Sequence, residues 1–245
     1  MLISIVMPCY NASSTIYDSI GSVLLQTYKN WELIVVDDRS TDNSRDIILS
    51  IKDERIRFIS SQVNSGSPAT PRNIAIKESR GEYIAFLDSD DLWTPTKLER
   101  QVEFMIKNNY KFTCTAYNII DPDGNFISSY VPPKYVIYSD LLFNNSIGCL
   151  TAMIHRSLVD NEKFPVCGHE DYALWLKLIK VSDGVHALSE KLASYRLMNG
   201  SVSSNKLKLI SFFWSIYRHQ EKFGLIKSFY CCFRYFMNVV FFKYK

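Results

Sequence analysis

The sequence predicts an α/β fold with a mostly parallel sheet, helices on both faces, a small antiparallel region and a helical C-terminal tail. Two observations indicate it. Before residue 94, four apolar segments typical of buried strands alternate with three helical segments, and parallel strands need such crossovers. The chain has 245 residues, 47% of them apolar, which is enough for one substantial core.

Each element of the first half follows from a local pattern. Apolar runs bounded by turn-forming residues predict strands at residues 2–7, 32–36, 55–60 and 83–87. Helices are predicted from a cap at Ser13 or Ser14 to residue 26, from the acidic turn after residue 36 to residue 51, and over 69–79. In such sheets ligands bind beyond the carboxyl ends of the strands, so polar clusters there are candidate site residues.

After residue 93 the pattern changes. We expect a helix at 96–108, antiparallel strands at 112–120 and 126–131 joined by a turn at 121–124, a strand at 149–155 and a helix at 170–180. The last segment is predicted to be helical and aromatic. We therefore divide the chain into one domain at 1–204, with halves at 1–93 and 94–204, and a basic tail at 205–245.

The most informative motif is the acidic run Asp88-Ser89-Asp90-Asp91, directly after a predicted buried strand. Three carboxylates in four residues repel one another, which favours a divalent cation that carries a phosphate. The alternative is an acidic helix start, with Asp91 as its cap. The Gly-x-Gly-x-x-Gly and P-loop patterns are absent from the sequence, so a cation would take over their task.

Composition restricts the class further. Six cysteines without paired metal-ligand spacing, and no secretory signal, favour a reduced cytosolic setting. No stretch reaches the eighteen or so apolar residues of a transmembrane helix. The tail holds eight Lys or Arg and one acid, whereas the remainder is acidic, so nucleic-acid binding is not expected.

Five segments together resemble one known family. They are Val6-Met7-Pro8-Cys9-Tyr10-Asn11, Val35-Val36-Asp37-Asp38-Arg39-Ser40-Thr41-Asp42, Pro71-Arg72-Asn73, the acidic run at 88–91, and Glu170-Asp171. In this order they resemble the inverting glycosyltransferases of family two, of the bacterial surface-polysaccharide type, which have the Rossmann-like GT-A fold. The resemblance covers about residues 2–200 and implies a nucleotide-sugar half at 1–93 and an acceptor half at 94–204.

The resemblance implies roles for residues after the first two strands. Pro8, Tyr10 and Asp38 would line the nucleoside pocket, with Asp38 accepting a hydrogen bond from uracil. Asn11 belongs to the same predicted site. Asp37 would also bind the nucleotide or would instead support the loop, and a helix cap in this acidic turn is a compatible alternative.

For the acidic run, the resemblance implies that Asp90 binds Mn²⁺ or Mg²⁺ directly. Asp88 would contact ribose or a water of the metal's shell, and Ser89 between them belongs to the donor site. Arg72 would face the base or the diphosphate, and Asn73 would orient the neighbouring acids. A surface salt bridge is the alternative for this pair.

Asp171 is predicted to be the general base, with Glu170 as its neighbour or an acceptor-binding residue. It would take the proton from an acceptor hydroxyl that attacks the anomeric carbon of a UDP-linked hexose or N-acetylhexosamine. The alternative is an acidic first helical turn that complements the helix dipole. Arg196 and the residues at 201–203 resemble, more loosely, the family's closing segment, a mobile loop that folds over the diphosphate. Arg196 would add positive charge there.

The tail has polar residues at helical spacing with aromatics opposite, which is typical of an interfacial helix. We expect a membrane surface to meet Phe229, Tyr230, Phe233, Phe236, Val240 and Phe241. This predicts a lipid-linked glycan acceptor and a peripheral position on the cytoplasmic face of the inner membrane. The alternative is packing against the catalytic domain or a partner subunit, which leaves a homo-oligomer open.

Two other functions compete with glycosyl transfer. A sugar nucleotidyltransferase has a similar sheet, but its glycine- and lysine-bearing amino-terminal loop is missing from this sequence. A catalytically silent nucleotide-sugar-binding scaffold is disfavoured by the intact Asp88, Asp90 and Asp171.

Overall fold

The computed structural model describes residues 1–198 and 206–241, in which ten strands form one sheet. The strands are β1 (Ile3–Cys9), β2 (Trp31–Asp37), β3 (Ile56–Ser60), β4 (Tyr83–Phe86), β5 (Leu92–Trp93), β6 (Phe112–Ile120), β7 (Phe126–Tyr130), β8 (Tyr135–Val136), β9 (Met153–His155) and β10 (Val185–Arg196). The helices are α1 (Ile16–Leu24), α2 (Ser44–Ser50), α3 (Ala69–Glu78), α4 (Lys97–Asn108), α5 (Tyr138–Leu141), α6 (Glu170–Leu178), α7 (Lys206–Ser215) and α8 (Leu225–Phe241).

The strand order is β3-β2-β1-β4-β9-β6-β10-β5, with β7 beside β6 and β8 beside β10. β1 pairs in parallel with β2 and β4, and β2 pairs in parallel with β3. β9 is antiparallel to both β4 and β6, so β6 and its parallel neighbour β10 run in the same direction as β4. The predicted mostly parallel α/β sheet is confirmed, and the carboxyl ends of its main strands lie at one edge.

Side chains alternate between two apolar layers because successive strand residues point to opposite faces of the sheet. In β1, Ile3, Ile5 and Met7 belong to one layer and Val6 to the other. Residues of α1, α2 and α4 cover the first layer, and residues of α3, α6, α7 and α8 cover the second. Helices therefore lie on both faces, as predicted.

Several predicted bounds need correction. α1 begins at Ile16 with Thr15 at its N-cap position, so neither Ser13 nor Ser14 is the cap. The predicted strand at 149–155 begins instead with a 3₁₀ turn, and only Met153–His155 pairs with neighbours. The sequence analysis also missed β10, because two register irregularities between Leu188 and Ala193 break the alternation of buried and exposed side chains.

The C-terminal segment shares the core of the domain. α7 continues through a π-helical turn at Ile216–Gln220, and α8 follows it. Phe213, Cys231 and Tyr235 are buried in the same apolar layer as Trp175 of α6. Within residues 1–198 and 206–241, no helix is long and apolar enough to cross a membrane.

Candidate active site

A cleft of about 320 Å³ opens at the carboxyl edge of β1, β2 and β4. Predicted donor-site residues line it: Pro8, Tyr10, Asp38, Arg72, Asp88, Ser89 and Asp90. The remaining lining residues were not assigned from the sequence: Cys9, Asn64, Gly66, Ser67, Pro68 and Pro71. Tyr10 is half exposed, so its ring is available for stacking on a flat group.

The two acids that follow β2 have different partners. The Asp38 carboxylate is buried and accepts hydrogen bonds from the backbone N–H of Ser65 at 2.9 Å and from its hydroxyl at 2.8 Å. Asp37 accepts from the backbone N–H of Ser40 at 3.2 Å and does not line the cleft. Asp37 therefore supports the loop, which is the alternative that the sequence left open, and Asp38 faces the cleft.

Asn11 joins two loops instead of lining the cleft. Its Oδ1 accepts from the backbone N–H of Thr41 at 2.8 Å, and its own N–H donates to the hydroxyl of Ser40 at 2.9 Å. Its φ of 48° is one that residues with a side chain adopt at a cost, and asparagine tolerates it better than most. The structure thus corrects the predicted place of Asn11: it fastens the β1–α1 loop to the β2–α2 loop.

The three acids of the 88–91 loop are not equivalent. Asp88 pairs with Arg72 at 2.5 Å, and the buried Asp91 accepts the backbone N–H of Arg196 at 2.9 Å. Among the described residues no salt bridge joins Asp90, which lines the cleft. Burial and the charge of Asp88 raise the pKa of Asp90 to about 6. Of the two acids in this loop without an ion-pair partner among the described residues, only Asp90 lines the cleft.

Hydroxyl groups at the N-cap position and in the first turn of α1 hold the same loop. Thr15 Oγ1 and Ser19 Oγ both donate to the carbonyl oxygen of Ser89, each at 2.9 Å. The sequence analysis missed them, although two hydroxyl side chains four residues apart on the buried face of a helix are a detectable signal.

Arg196 braces the loop from the other side. Its Nε donates to the carbonyl oxygen of Asp90 at 2.9 Å, and its Nη1 donates to that of Pro122 at 2.8 Å. The side chain is buried at the end of β10, so the structure corrects the prediction that it lies on a mobile closing loop. The matching segment at 201–203 lies outside the described residues.

Arg72 and Asn73, adjacent on α3, serve different partners. Burial opposes the charge of Arg72, but the Asp88 carboxylate, together with other nearby groups, outweighs this and raises the pKa of the guanidinium. Because Arg72 is buried, its ion pair with Asp88 is not the surface salt bridge that was the alternative. The Asn73 amide donates to the carbonyl oxygen of Phe164 and accepts from its N–H, both at 2.9 Å, so it does not orient the acids as predicted.

The amino end of α6 meets the cleft. Glu170 is 6% exposed, and its Oε1 accepts from Ser67 Oγ at 2.8 Å and from the backbone N–H of Gly168 at 3.2 Å. Ser67 lines the cleft and is 103 residues from Glu170 along the chain. Asp171, the next residue, interacts electrostatically with Arg72, as Asp88 does. The structure therefore brings together the two acidic segments that the sequence singled out.

The residues present suit a hard divalent cation held jointly with a phosphate group. In residues 1–198 and 206–241, no three His, Cys, Asp or Glu side chains are grouped so that they could hold a metal by themselves. Mg²⁺ and Mn²⁺ commonly take only one or two protein carboxylates together with phosphate oxygens and water. Asp90 and Asp88 supply such oxygens at the wall of the cleft.

Known protein sequences similar to this chain are glycosyltransferases. The profile of glycosyl transferase family 2 matches residues 4–161. TuaG from Bacillus subtilis (strain 168) is provisionally named a teichuronic acid biosynthesis glycosyltransferase. It is 41% identical to this chain over 98% of this chain's length and 96% of the length of TuaG. The Escherichia coli UDP-Glc:alpha-D-GlcNAc-diphosphoundecaprenol beta-1,3-glucosyltransferase WfgD is 43% identical over 88% of this chain and 85% of its own.

Solved structures share the fold at low sequence identity. S. aureus TarS 1–349 in complex with UDP-GlcNAc matches 98% of this chain and 73% of its own, with a TM-score of 0.78 and 19% identity. The mannosyltransferase PcManGT from Pyrobaculum calidifontis, in complex with GDP-Man and Mn²⁺, matches 98% of this chain and 70% of its own, with a TM-score of 0.71 and 16% identity.

Proposed function

This chain belongs to glycosyl transferase family 2, and we propose that it transfers a hexose or N-acetylhexosamine from a UDP-sugar to a hydroxyl of a lipid-diphosphate-linked glycan. The observation that carries the proposal is the hydrogen bond between Ser67 of the cleft and Glu170, which brings the acid at 171 beside the donor site. The name of WfgD supports a UDP-linked hexose and a lipid diphosphate, so UDP-glucose is the first donor to test.

The cleft offers a place for each part of a nucleotide sugar. The exposed ring of Tyr10 would stack on the uracil, and Asp38, positioned by Ser65, would accept from its N–H. Asp90, with Asp88 beside it, would hold Mn²⁺ or Mg²⁺, and Arg72 fixes the orientation of Asp88. When bound, the cation offsets the negative charge that grows on the leaving diphosphate.

Asp171 is the group that would act as general base. Glu170 Oε1 already accepts two hydrogen bonds, so Glu170 is a support of the segment, whereas Asp171 is partly exposed. Asp171 takes the proton of the acceptor hydroxyl while the oxygen of that hydroxyl forms a bond to the anomeric carbon. The bond from that carbon to the diphosphate oxygen breaks, and UDP leaves with the electron pair. Because this is a single displacement, an α-linked donor gives a β-glycoside.

The base assignment is tested by Asp171→Asn. General-base catalysis contributes ~10²- to 10⁴-fold, so UDP release in the presence of Mn²⁺ and acceptor should fall by at least about 100-fold. UDP-sugar binding, measured by thermal shift, should remain. Asp46→Asn, an exposed acid on α2, is the matched control. A wild-type rate in Asp171→Asn would contradict the assignment, and wild-type inactivity with every UDP-sugar and lipid-linked acceptor would contradict the function.

The C-terminal helix supports attachment to the cytoplasmic face of a membrane. Phe229 and Phe233 are 68% and 54% exposed on one side of α8, and the same side carries further exposed apolar residues: Leu225, Ile226, Tyr230 and Phe236. Lys227 and Arg234 flank this face and would meet anionic headgroups. The opposite side packs on the domain through Cys231 and Tyr235, so both predicted alternatives for the helix apply, one to each side. The side chains of Val240 and Phe241 lie outside the described part.

Point substitutions test this attachment better than truncation, because removal of α8 would uncover the core that Tyr235 covers. Phe229→Ser combined with Phe233→Ser should weaken co-sedimentation with vesicles that contain anionic lipid. Phe126→Ser, which changes an equally exposed aromatic residue on β7, is the control. Unchanged vesicle binding of the double variant would refute the proposal.

A further inference from the structure

α7 lies directly against the segment that carries the proposed base. Gly168 has a φ of +86°, and a Cβ at this position would overlap the ring of Phe212. The ring therefore rests on the glycine backbone without room for a side chain. The N–H of the same glycine donates to Glu170 Oε1, so this contact lies within the hydrogen-bonded start of α6.

Phe213 contacts residues on both sides of Asp171. Its ring stacks on His169, with centroids 5.1 Å apart and planes at 28°, and it meets Tyr172 edge-on at 5.0 Å. Behind it lies the ring of Tyr235 of α8, with centroids 3.7 Å apart. Since Phe213 is buried and covered from behind, it cannot withdraw from these neighbours.

We propose that Phe212 and Phe213 are positioning residues that hold the base segment in its reactive place. They act on Asp171 through the backbone and rings of residues 168–172, not by contact with substrate. The inference rests on the proposed function, because it requires Asp171 to be the base. A displacement of about 1 Å at a reacting group can cost ~100-fold in rate, so support at this point has a measurable effect.

Phe212→Ala is the informative variant, because the Phe212 ring is only partly buried and its loss should leave the fold intact. We expect kcat to fall by about 10- to 100-fold while the KM for the UDP-sugar stays unchanged. Phe212→Leu, which keeps an apolar side chain over Gly168, should recover most of the rate. Phe104→Ala on α4 is the matched control, since it removes a partly exposed ring that meets Tyr110. Rates are divided by the fraction of protein that binds UDP, so partial unfolding does not mimic the effect.

A double-variant comparison separates this inference from the proposed function. In an Asp171→Asn background, Phe212→Ala should cause no further loss, because the group it positions is absent. A wild-type kcat for Phe212→Ala, or an equal loss in both backgrounds, would overturn the positioning role while leaving the base assignment intact. Full activity of Asp171→Asn would instead overturn the base assignment and with it this inference.

Discussion

Ser67→Ala removes the hydroxyl through which the cleft is joined to the helix that carries the proposed base. In the native chain this hydroxyl donates to Glu170 Oε1 at 2.8 Å and accepts from the backbone N–H of Ala69 at 3.1 Å. Alanine leaves the buried Glu170 carboxylate with the N–H of Gly168 at 3.2 Å as its remaining hydrogen bond.

The size of the effect follows from the charge and burial of Glu170. A hydrogen bond to a charged group contributes about 1.5–3 kcal/mol, and at 6% exposure water replaces the missing donor poorly. We therefore expect the free energy of unfolding to fall by about 2–3 kcal/mol in Ser67→Ala. Because Ser67 lies in the cleft and Asp171 follows Glu170, kcat should fall as well.

Urea unfolding, followed by the fluorescence of the four tryptophans, measures this change. Combining Ser67→Ala with Glu170→Ala gives the coupling energy of the pair, which should reach about 1.5–3 kcal/mol. Ser50→Ala is the control, since its hydroxyl donates to the Ile47 carbonyl at an exposed helix end and should change stability by less than about 0.5 kcal/mol. A coupling energy below about 0.5 kcal/mol would refute the link between the two segments.

Three further predictions concern other parts of the chain. Thr15→Val removes one of the hydroxyls that hold the Ser89 carbonyl and should lower kcat and Mn²⁺ stimulation together; an unchanged titration with Mn²⁺ would argue against this brace. Asp90→Asn should abolish the increase in thermal stability that UDP with Mn²⁺ gives over UDP with EDTA, and a wild-type increase would exclude Asp90 as a ligand. Lys97→Met should raise the free energy of unfolding at pH 7 by about 1–3 kcal/mol, because Lys97 is fully buried over the Trp93 ring and has no hydrogen-bond partner in the part of the chain that the structure describes. Burial lowers the pKa of Lys97, so at this position the unfolded chain binds more protons than the folded one between the lowered and the ordinary value. The stability difference between Lys97→Met and the wild type should therefore narrow as the pH rises toward the ordinary pKa of lysine; a constant difference would contradict this.

The strands around the cleft could be predicted because local signals there agree with the fold. Each of β1, β2 and β4 is an apolar run that ends in polar residues at the carboxyl edge, and period and position alone identify it. β10 could not be found in this way, since its irregularities shift the burial pattern within one strand. The resemblance to the family singled out Asp88, Asp90 and Asp171 as candidate site residues, and the structure places Asp88 and Asp171 near the same guanidinium, that of Arg72.

The hydrogen-bond partners of the site residues could not be predicted, because they depend on the path of the whole chain. The Asn73 amide could equally bond acids or backbone, and only the position of Phe164, far along the chain, decides between them. The Ser67–Glu170 bond has the same origin, since no local pattern relates residues 103 apart. The buried guanidinium of Arg196 also depends on a strand that sequence periodicity does not reveal.

The contact between Phe213 and Tyr235 determines when, during synthesis, the packing around α6 can be completed. On the ribosome, α6 emerges before α8, so Tyr172 and Phe213 lack the cover of Tyr235 until α8 has been made. The helix that bears the proposed base is thus fully packed only after α8 has been made, and a product terminated before α8 would leave it incompletely packed.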